Sequence, residues 1–206
     1  ERAARAGAVN TLAFNGAEIF GDNTDGAGLV RDITVNLRRS LAGQRILLLG
    51  AGGAARGVIA PLLAAQPASL LIANRSADKA VALARSFSDI AASTETTAGP
   101  RVGAANFAET AGKSFDVVIN ATSASLSGES LPLPSGIFAA GSLAYDMMYG
   151  RGDTPFMVLA RQQGAAHCAD GLGMLVEQAA EAFFIWRGVR PETTAVLAEL
   201  RTALSA

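Results

Sequence analysis

The sequence predicts an α/β protein built on a doubly wound parallel sheet, and three observations lead there. Between Arg45 and Ala169 short apolar strands alternate with amphipathic helices; a glycine-rich turn joins the first of those strands to its helix; from Leu172 onward the pattern is purely helical. Strands separated by helices of this length imply right-handed crossovers, which lay helices on both faces of one parallel sheet. Of 206 residues 50% are hydrophobic and 17% charged, with a formal net charge of −1. Such a chain can bury a sizeable core and is not disordered. Its basic residues are scattered, with no run longer than Arg38-Arg39, so the electrostatic footprint of a nucleic-acid or anionic-membrane binder is missing. One cysteine, Cys168, excludes an internal disulfide framework and a cysteine-rich zinc site. No apolar run approaches the roughly 20 residues of a membrane span. Glu1-Arg2-Ala3-Ala4-Arg5 is charged with no apolar region behind it, unlike a secretory leader. A soluble, cytoplasmic protein is expected.

The elements follow in order. Residues 1–6 read as helix with no capping residue ahead of them, and the chain does not begin with Met; both point to residues upstream. Residues 8–14 and 17–20 flank Asn15-Gly16, a hairpin signal in which both turn positions take positive φ. The polar loop Gly21-Asp22-Asn23-Thr24-Asp25-Gly26 then opens a helix in which Leu29, Val30, Ile33 and Leu37 repeat at helical spacing to about Arg39. Strands are expected at 45–49, 69–73, 102–105, 115–119, 143–146 and 165–169. Helices are expected at 54–65, 78–87 and 155–163, with a weak one near Ala108. The polar stretch 93–101 reads as a surface loop. Leu172, Leu175, Val176, Ala179, Phe183 and Trp186 form one apolar stripe of a helix that Gly188 ends. Pro191 opens a last helix carrying Leu197, Leu200 and Leu204.

The strongest chemical signal is Leu47-Leu48-Leu49-Gly50-Ala51-Gly52-Gly53-Ala54-Ala55. It sets Gly50, Gly52 and Ala55 on a G-x-G-x-x-A pattern directly after a strand and at the opening of a helix. Glycine lets the backbone approach a pyrophosphate, and the helix N-terminus supplies N–H donors. This is the signature of a Rossmann-type dinucleotide site. An NAD site wants Asp or Glu about 20 residues on, whereas here the second strand ends in Asn74-Arg75-Ser76, with Lys79 one turn later. Two cations there suit a 2′-phosphate, so NADP is expected. Asn120-Ala121-Thr122-Ser123 closes a later strand, where small polar residues either approach a nicotinamide ribose or cap a helix. Asp25 reads equally as an N-cap or as a carboxylate able to hold a substrate hydroxyl. Asn10 reads as a strand residue, and Gln178 is a polar residue in an apolar helix. His167, the only histidine, reads as core or surface. Neither metal-ligand spacing nor a Ser/His/Asp arrangement can be assembled.

Together these pieces resemble the shikimate dehydrogenase family over essentially the whole chain. The likeness rests on Ala6-Gly7-Ala8-Val9-Asn10-Thr11, Gly21-Asp22-Asn23-Thr24-Asp25-Gly26, Gly50-Ala51-Gly52-Gly53-Ala54, Asn74-Arg75-Ser76, Asn120-Ala121-Thr122-Ser123, Tyr145-Asp146-Met147-Met148-Tyr149 and Asp170-Gly171-Leu172-Gly173-Met174-Leu175, in that order. It implies reduction of 3-dehydroshikimate to shikimate with NADPH, on the way to chorismate and the aromatic amino acids. A close variant would also oxidise quinate, with NAD as the alternative coenzyme, against which Arg75 and Lys79 count. The resemblance further implies that Asn10, Asp25, Tyr149 and Gln178 bind shikimate, Asp25 being paired with a catalytic lysine. Gly50, Ala51, Gly52, Gly53, Ala54, Asn74, Arg75, Ser76, Lys79, Thr122, Met147 and Gly171 would hold NADP. The family's Asn-Val-Thr-x-Pro-x-Lys segment has no match around Lys79 or Lys113 and is expected ahead of Glu1, as are the serines for the shikimate carboxylate. Without that lysine the chain would be an NADP-binding module lacking turnover. Residues 1–25 would then end a substrate domain, 26–171 form the nucleotide domain, and 172–206 return to the substrate domain. A monomer or homodimer, with a small-molecule substrate and neither nucleic acid nor membrane as partner, is the expected context.

Overall fold

A computed structural model of the chain describes residues 1–88, 101–124 and 130–205. The chain opens with a short helix, α1 (Arg2–Ala6), closed by Gly7 in the left-handed conformation. The hairpin β1 (Thr11–Asn15) and β2 (Glu18–Asp22) follows. Next come α2 (Asp25–Arg31), β3 (Arg45–Leu49), α3 (Gly53–Ala64), β4 (Ser69–Asn74) and α4 (Ala77–Arg85). The rest of the sheet is β5 (Arg101–Asn106), β6 (Phe115–Asn120), β7 (Phe138–Asp146), the helix α5 (Pro155–Gln162) and β8 (His167–Ala169). Two helices end the chain, α6 (Leu172–Arg187) and α7 (Thr194–Ser205).

Six parallel strands form one sheet in the order β5-β4-β3-β6-β7-β8, so the expected doubly wound α/β class is what the chain adopts. Alternation along the strands fills two cores. Ile46, Leu48, Leu70, Ile72, Val117 and Ile119 pack beneath α2, α3 and α4. Leu47, Leu49, Ala73, Val118 and Ala144 face the other way, onto Phe107, Phe138, Phe156 and Ala160. A strand buried on both faces needs an unbroken apolar run, and Arg45-Ile46-Leu47-Leu48-Leu49 supplies one. The order reverses between β3 and β6, and a sheet of this kind opens its crevice at that switch point, beyond the strands' C-terminal ends.

Several elements depart from the sequence reading. The hairpin register pairs Asn15 with Glu18, so the two turn residues are Gly16 and Ala17, and only Gly16 has positive φ. The helix expected to run to Arg39 is α-helical only to Arg31; residues Asp32–Asn36 form a π-helical turn. Asp32 is buried there with its carboxylate engaged, and the Thr34 hydroxyl donates to the Val30 carbonyl at 2.7 Å, a back-bond that competes with the regular ladder. Strand β7 starts at Phe138, five residues early, because Ala139, Ala140 and Gly141 conceal its alternation. The last helix begins at Thr194 rather than Pro191 and buries none of its residues. In α6 the stripe is buried at Leu172 and Val176, but Phe183 and Trp186 are exposed. The expected loop at 93–100 lies outside the described residues, and Arg101 opens β5. His167 is exposed at the start of β8. No helix among the described residues is long and apolar enough to cross a membrane.

Candidate active site

Two features meet at the C-terminal edge of the sheet. The first is a cleft of about 470 Å³ at the switch point. Its floor begins where β3 ends. Gly50 has φ +107°, a conformation open to glycine and strained for other residues. Its amide donates to the Ala73 carbonyl at 2.7 Å, which ties the turn to β4. Gly52 stands at the cap position of α3 with extended backbone, and nothing lies within 4 Å of where a Cβ on Gly52 or Gly53 would be. The amide end of α3 is therefore open to an anion.

Gly50, Ala51, Gly52, Gly53, Ala54, Asn74, Arg75 and Thr122 all line this cleft. Arg75 is exposed and engages no partner among the described residues, leaving its guanidinium available. The other expected nucleotide residues sit beside the lining. Ser76 caps α4 by position without a side-chain bond, and its carbonyl accepts from Asn74 Nδ2 at 3.1 Å. Lys79 is exposed in the first turn of α4. The Met147 side chain is buried in the core, and its neighbour Met148 faces the cleft. The Gly171 amide donates to the Met148 carbonyl at 3.0 Å, and a side chain at Gly171 would collide with the Met147 carbonyl. Sequence reasoning missed Phe107, Ala124, Ser130, Leu131, Pro132 and Met148 in the lining. Phe107 follows directly on β5, so extending the strand-end rule to that edge strand would have found it. Leu131 and Pro132 carry no such signal.

The second feature is a polar cluster. Asn10 Nδ2 donates to Asp25 Oδ1 at 2.8 Å and to Gln178 Oε1 at 2.9 Å. Asn10 Oδ1 accepts from the Thr24 amide at 3.0 Å. Asp25 is the first residue of α2, and Thr24 holds the cap position, so the N-cap reading of Asp25 does not hold. Asn10 precedes β1 rather than lying in it. Tyr149 is 45% exposed in the loop after β7 and makes no hydrogen bond to the cluster. Neither lysine stands there: Lys113 donates to the Glu109 carbonyl, and Lys79 projects from α4.

Helix α3 joins the two features. A Cβ on Gly57 would stand 3.8 Å from Asp25 Oδ2 and 3.4 Å from Asn23 Oδ1. Gly57 is one turn after Gly53, so the carboxylate lies one helical turn along from the cleft floor.

Buried charge braces the cluster. Arg2 donates to Asp22 at 2.5–3.2 Å and to Glu181 at 2.9 Å, and Arg190 also pairs with Glu181. Burial alone would raise the Asp22 carboxyl, but the Arg2 hydrogen bonds, the Asn23 amide and the positive charge of Arg2 together outweigh it and hold it below its usual range. Behind α2, the Tyr145 hydroxyl donates to Asp32 at 2.7 Å; burial raises the Asp32 carboxyl and pushes Tyr145 well above its usual range. Arg31 lies 2.7 Å from Glu177, whose other oxygen accepts from the Thr193 hydroxyl at 2.6 Å. Trp186 Nε1 donates to the Leu12 carbonyl at 2.8 Å, fastening the end of α6 to the hairpin.

Comparison with known proteins gives this geometry its relatives. A family model for shikimate / quinate 5-dehydrogenase matches residues 32–127, and one for the shikimate 5′-dehydrogenase C-terminal domain matches residues 171–201. A shikimate dehydrogenase (NADP(+)) of Dechloromonas aromatica (strain RCB) is 76% identical over 206 residues, which are 100% of this chain and 72% of that protein. The crystal structure of an Ael1 enzyme from Pseudomonas putida superposes with a TM-score of 0.87 at 48% identity, covering 100% of this chain and 71% of that one. The shikimate 5-dehydrogenase of Thermus thermophilus, solved in complex with NADP(H) and shikimate, gives a TM-score of 0.79 at 32% identity, covering 98% of this chain and 71% of that one. The chain belongs to the shikimate dehydrogenase family.

Proposed function

We propose that the chain binds NADP in the switch-point cleft and holds shikimate at the Asn10–Asp25–Gln178 cluster, as part of an enzyme that reduces 3-dehydroshikimate to shikimate. The observation that carries this reading is the position of Asp25, one turn of α3 from the glycine-lined floor. A hydroxyl held at Asp25 then faces the edge of the nucleotide cleft, as transfer between two bound ligands requires.

The residues present fit the nucleotide. The open Gly52–Gly53 end of α3 offers amides to a pyrophosphate, and exposed Arg75 stands at the cleft where a 2′-phosphate would be paired. When bound, NADPH supplies the hydride. The chain's own residues orient the other partner. Asn10 Nδ2 holds Asp25 Oδ1 and Gln178 Oε1 in place, which leaves the Gln178 NH2 to donate to a hydroxyl, and Asp25 accepts a hydrogen bond and presents a negative charge to the acid–base group that moves the hydroxyl proton. Tyr149, Ser76, Lys79, Met147 and Gly171 remain in the proposed ligand set, with Tyr149 on the shikimate side. Residues 1–25 and 172–206 supply the substrate half, and residues 26–171 the nucleotide half.

The test is a pair of titrations followed by turnover. NADPH should bind the chain at least ~10-fold more tightly than NADH, since one or two charge-assisted contacts distinguish them. An enzyme containing these residues should oxidise shikimate with NADP. Equal affinity for the two nucleotides, or no turnover of shikimate by that enzyme, would overturn the reading.

A further inference from the structure

We infer that Asp146, Asn120 and Thr154 form a buried positioning latch for the half of the nucleotide cleft remote from Arg75. The three are almost wholly enclosed: Asn120 and Asp146 are 0% exposed and Thr154 is 8% exposed. Asn120 and Asp146 are partners in register at the C-terminal ends of the adjacent strands β6 and β7. An apolar pair would serve the core there as well, and a buried carboxylate is costly unless its hydrogen bonds are satisfied. Its bonds run to the walls of the cleft. Asp146 Oδ1 accepts from Asn120 Nδ2 and from the Met148 amide, each at 3.0 Å. Asp146 Oδ2 accepts from the Thr154 hydroxyl at 2.6 Å. Asn120 Oδ1 in turn accepts from the Thr122 amide at 3.1 Å and the Thr122 hydroxyl at 2.7 Å.

Thr122 and Met148 both line the cleft, and the latch reaches both while touching neither ligand position itself. It fixes two loops that leave neighbouring strands. A third anchor comes from Thr154, whose hydroxyl also accepts from the Met157 amide and so caps α5. Arg75 lies at the end of β4, on the far side of β3 from this pair. With the 2′-phosphate at Arg75, a dinucleotide spanning the cleft brings its nicotinamide half to Thr122 and Met148. The latch is therefore a set of positioning residues for that half alone.

This inference rests on the proposed nucleotide site, and the experiment separates the two. NADPH and adenosine 2′,5′-bisphosphate, which lacks the nicotinamide half, are titrated calorimetrically into the wild-type chain, Asp146→Asn, Thr154→Val and Thr154→Ser. In the first two variants NADPH affinity should fall roughly tenfold or more, the scale of one lost hydrogen bond to a charged group, while the bisphosphate changes by less than about twofold. Thr154→Ser keeps the hydroxyl and should bind both probes like the wild type. If both probes weaken together, or neither does, the latch is ordinary framework and the inference fails. If Asp146→Asn does not fold, Thr154→Val and its serine counterpart still decide between these outcomes. A wild-type chain that binds neither probe overturns the nucleotide site, and the latch with it.

Discussion

Asn10 and Gln178 are 168 residues apart in the chain and 2.9 Å apart in space, joined by a hydrogen bond from Nδ2 to Oε1. Neither residue explains itself alone, since one precedes a hairpin and the other sits in a mostly apolar helix. Their meeting point is set by α2 and α6, which pack so closely that a Cβ on Gly28 would stand 2.7 Å from the backbone nitrogen of Gln178. The proposed substrate cluster is thus a product of helix packing.

Replacing Gly28 by Ala should drive those helices apart. The new methyl would meet the backbone of both Gln178 and Met174 at 2.7 Å. Overpacking of this kind costs about 1–3 kcal/mol, to be read in thermal unfolding. Because Gln178 moves with α6, shikimate affinity should fall further than NADP affinity. Equal losses of the two ligands in parallel titrations would show that the helices only support the fold.

Nucleotide choice should hang on Arg75. Arg75→Ala removes the exposed guanidinium at the cleft and should weaken NADP by at least ~10-fold while leaving NAD within about twofold. An unchanged NADP affinity would place the 2′-phosphate elsewhere.

Asp25→Asn, made in an enzyme containing these residues, separates charge from shape. The amide keeps the size and can still meet Asn10, so the melting temperature should move little; an acidic residue in the first turn of a helix is worth only about 0.3–1 kcal/mol. Loss of the charge beside the acid–base group should lower kcat by roughly 10²–10⁴ with NADP binding intact. A near-normal kcat would return Asp25 to a merely structural role.

Acid should loosen the brace at Asp22. A carboxyl held lower in the fold than in the unfolded chain stabilises at pH values above its unfolded pKa, and that stability is lost as pH falls through the depressed folded one. Asp22 is such a group, held below the ordinary 3.8. Wild type and Asp22→Asn should therefore differ in melting temperature above about pH 4 and converge as the pH drops below 3.8. A gap constant across that range would assign the difference to something other than ionisation.

Much of the architecture was legible in the sequence because it rests on local pattern. Ile46, Leu47, Leu48 and Leu49 announce a two-faced strand, and Gly50 announces the turn after it. The π-helical turn at Asp32–Asn36 was not legible, since Ile33 and Leu37 fit the ordinary helical period, while Asp32 meets Tyr145 only through a contact 113 residues away in the chain. The same holds for Phe183 and Trp186, apolar residues whose exposure depends on what packs over α6 and not on their own spacing. At the candidate site, composition marked Asn74 and Arg75. The bond between Asn120 and Asp146 spans 26 residues and has no sequence signature. Met148, one residue from the expected Met147, shows how a one-residue change at a strand end swaps core for cleft.

The bond from Trp186 to the Leu12 carbonyl gives the molecule a history as well as a shape. Ribosomes add about 5–20 residues per second, so the hairpin waits roughly 9–35 s for the 174 residues that separate it from its fastening. In that interval no α6 is in place to hold the hairpin, while β3, β4 and β6 already pair with one another. A nascent chain halted before Leu172 should show a nucleotide sheet that resists protease and a hairpin that does not. Synthesis thus completes the sheet that lines the cleft before the contacts that fasten the hairpin.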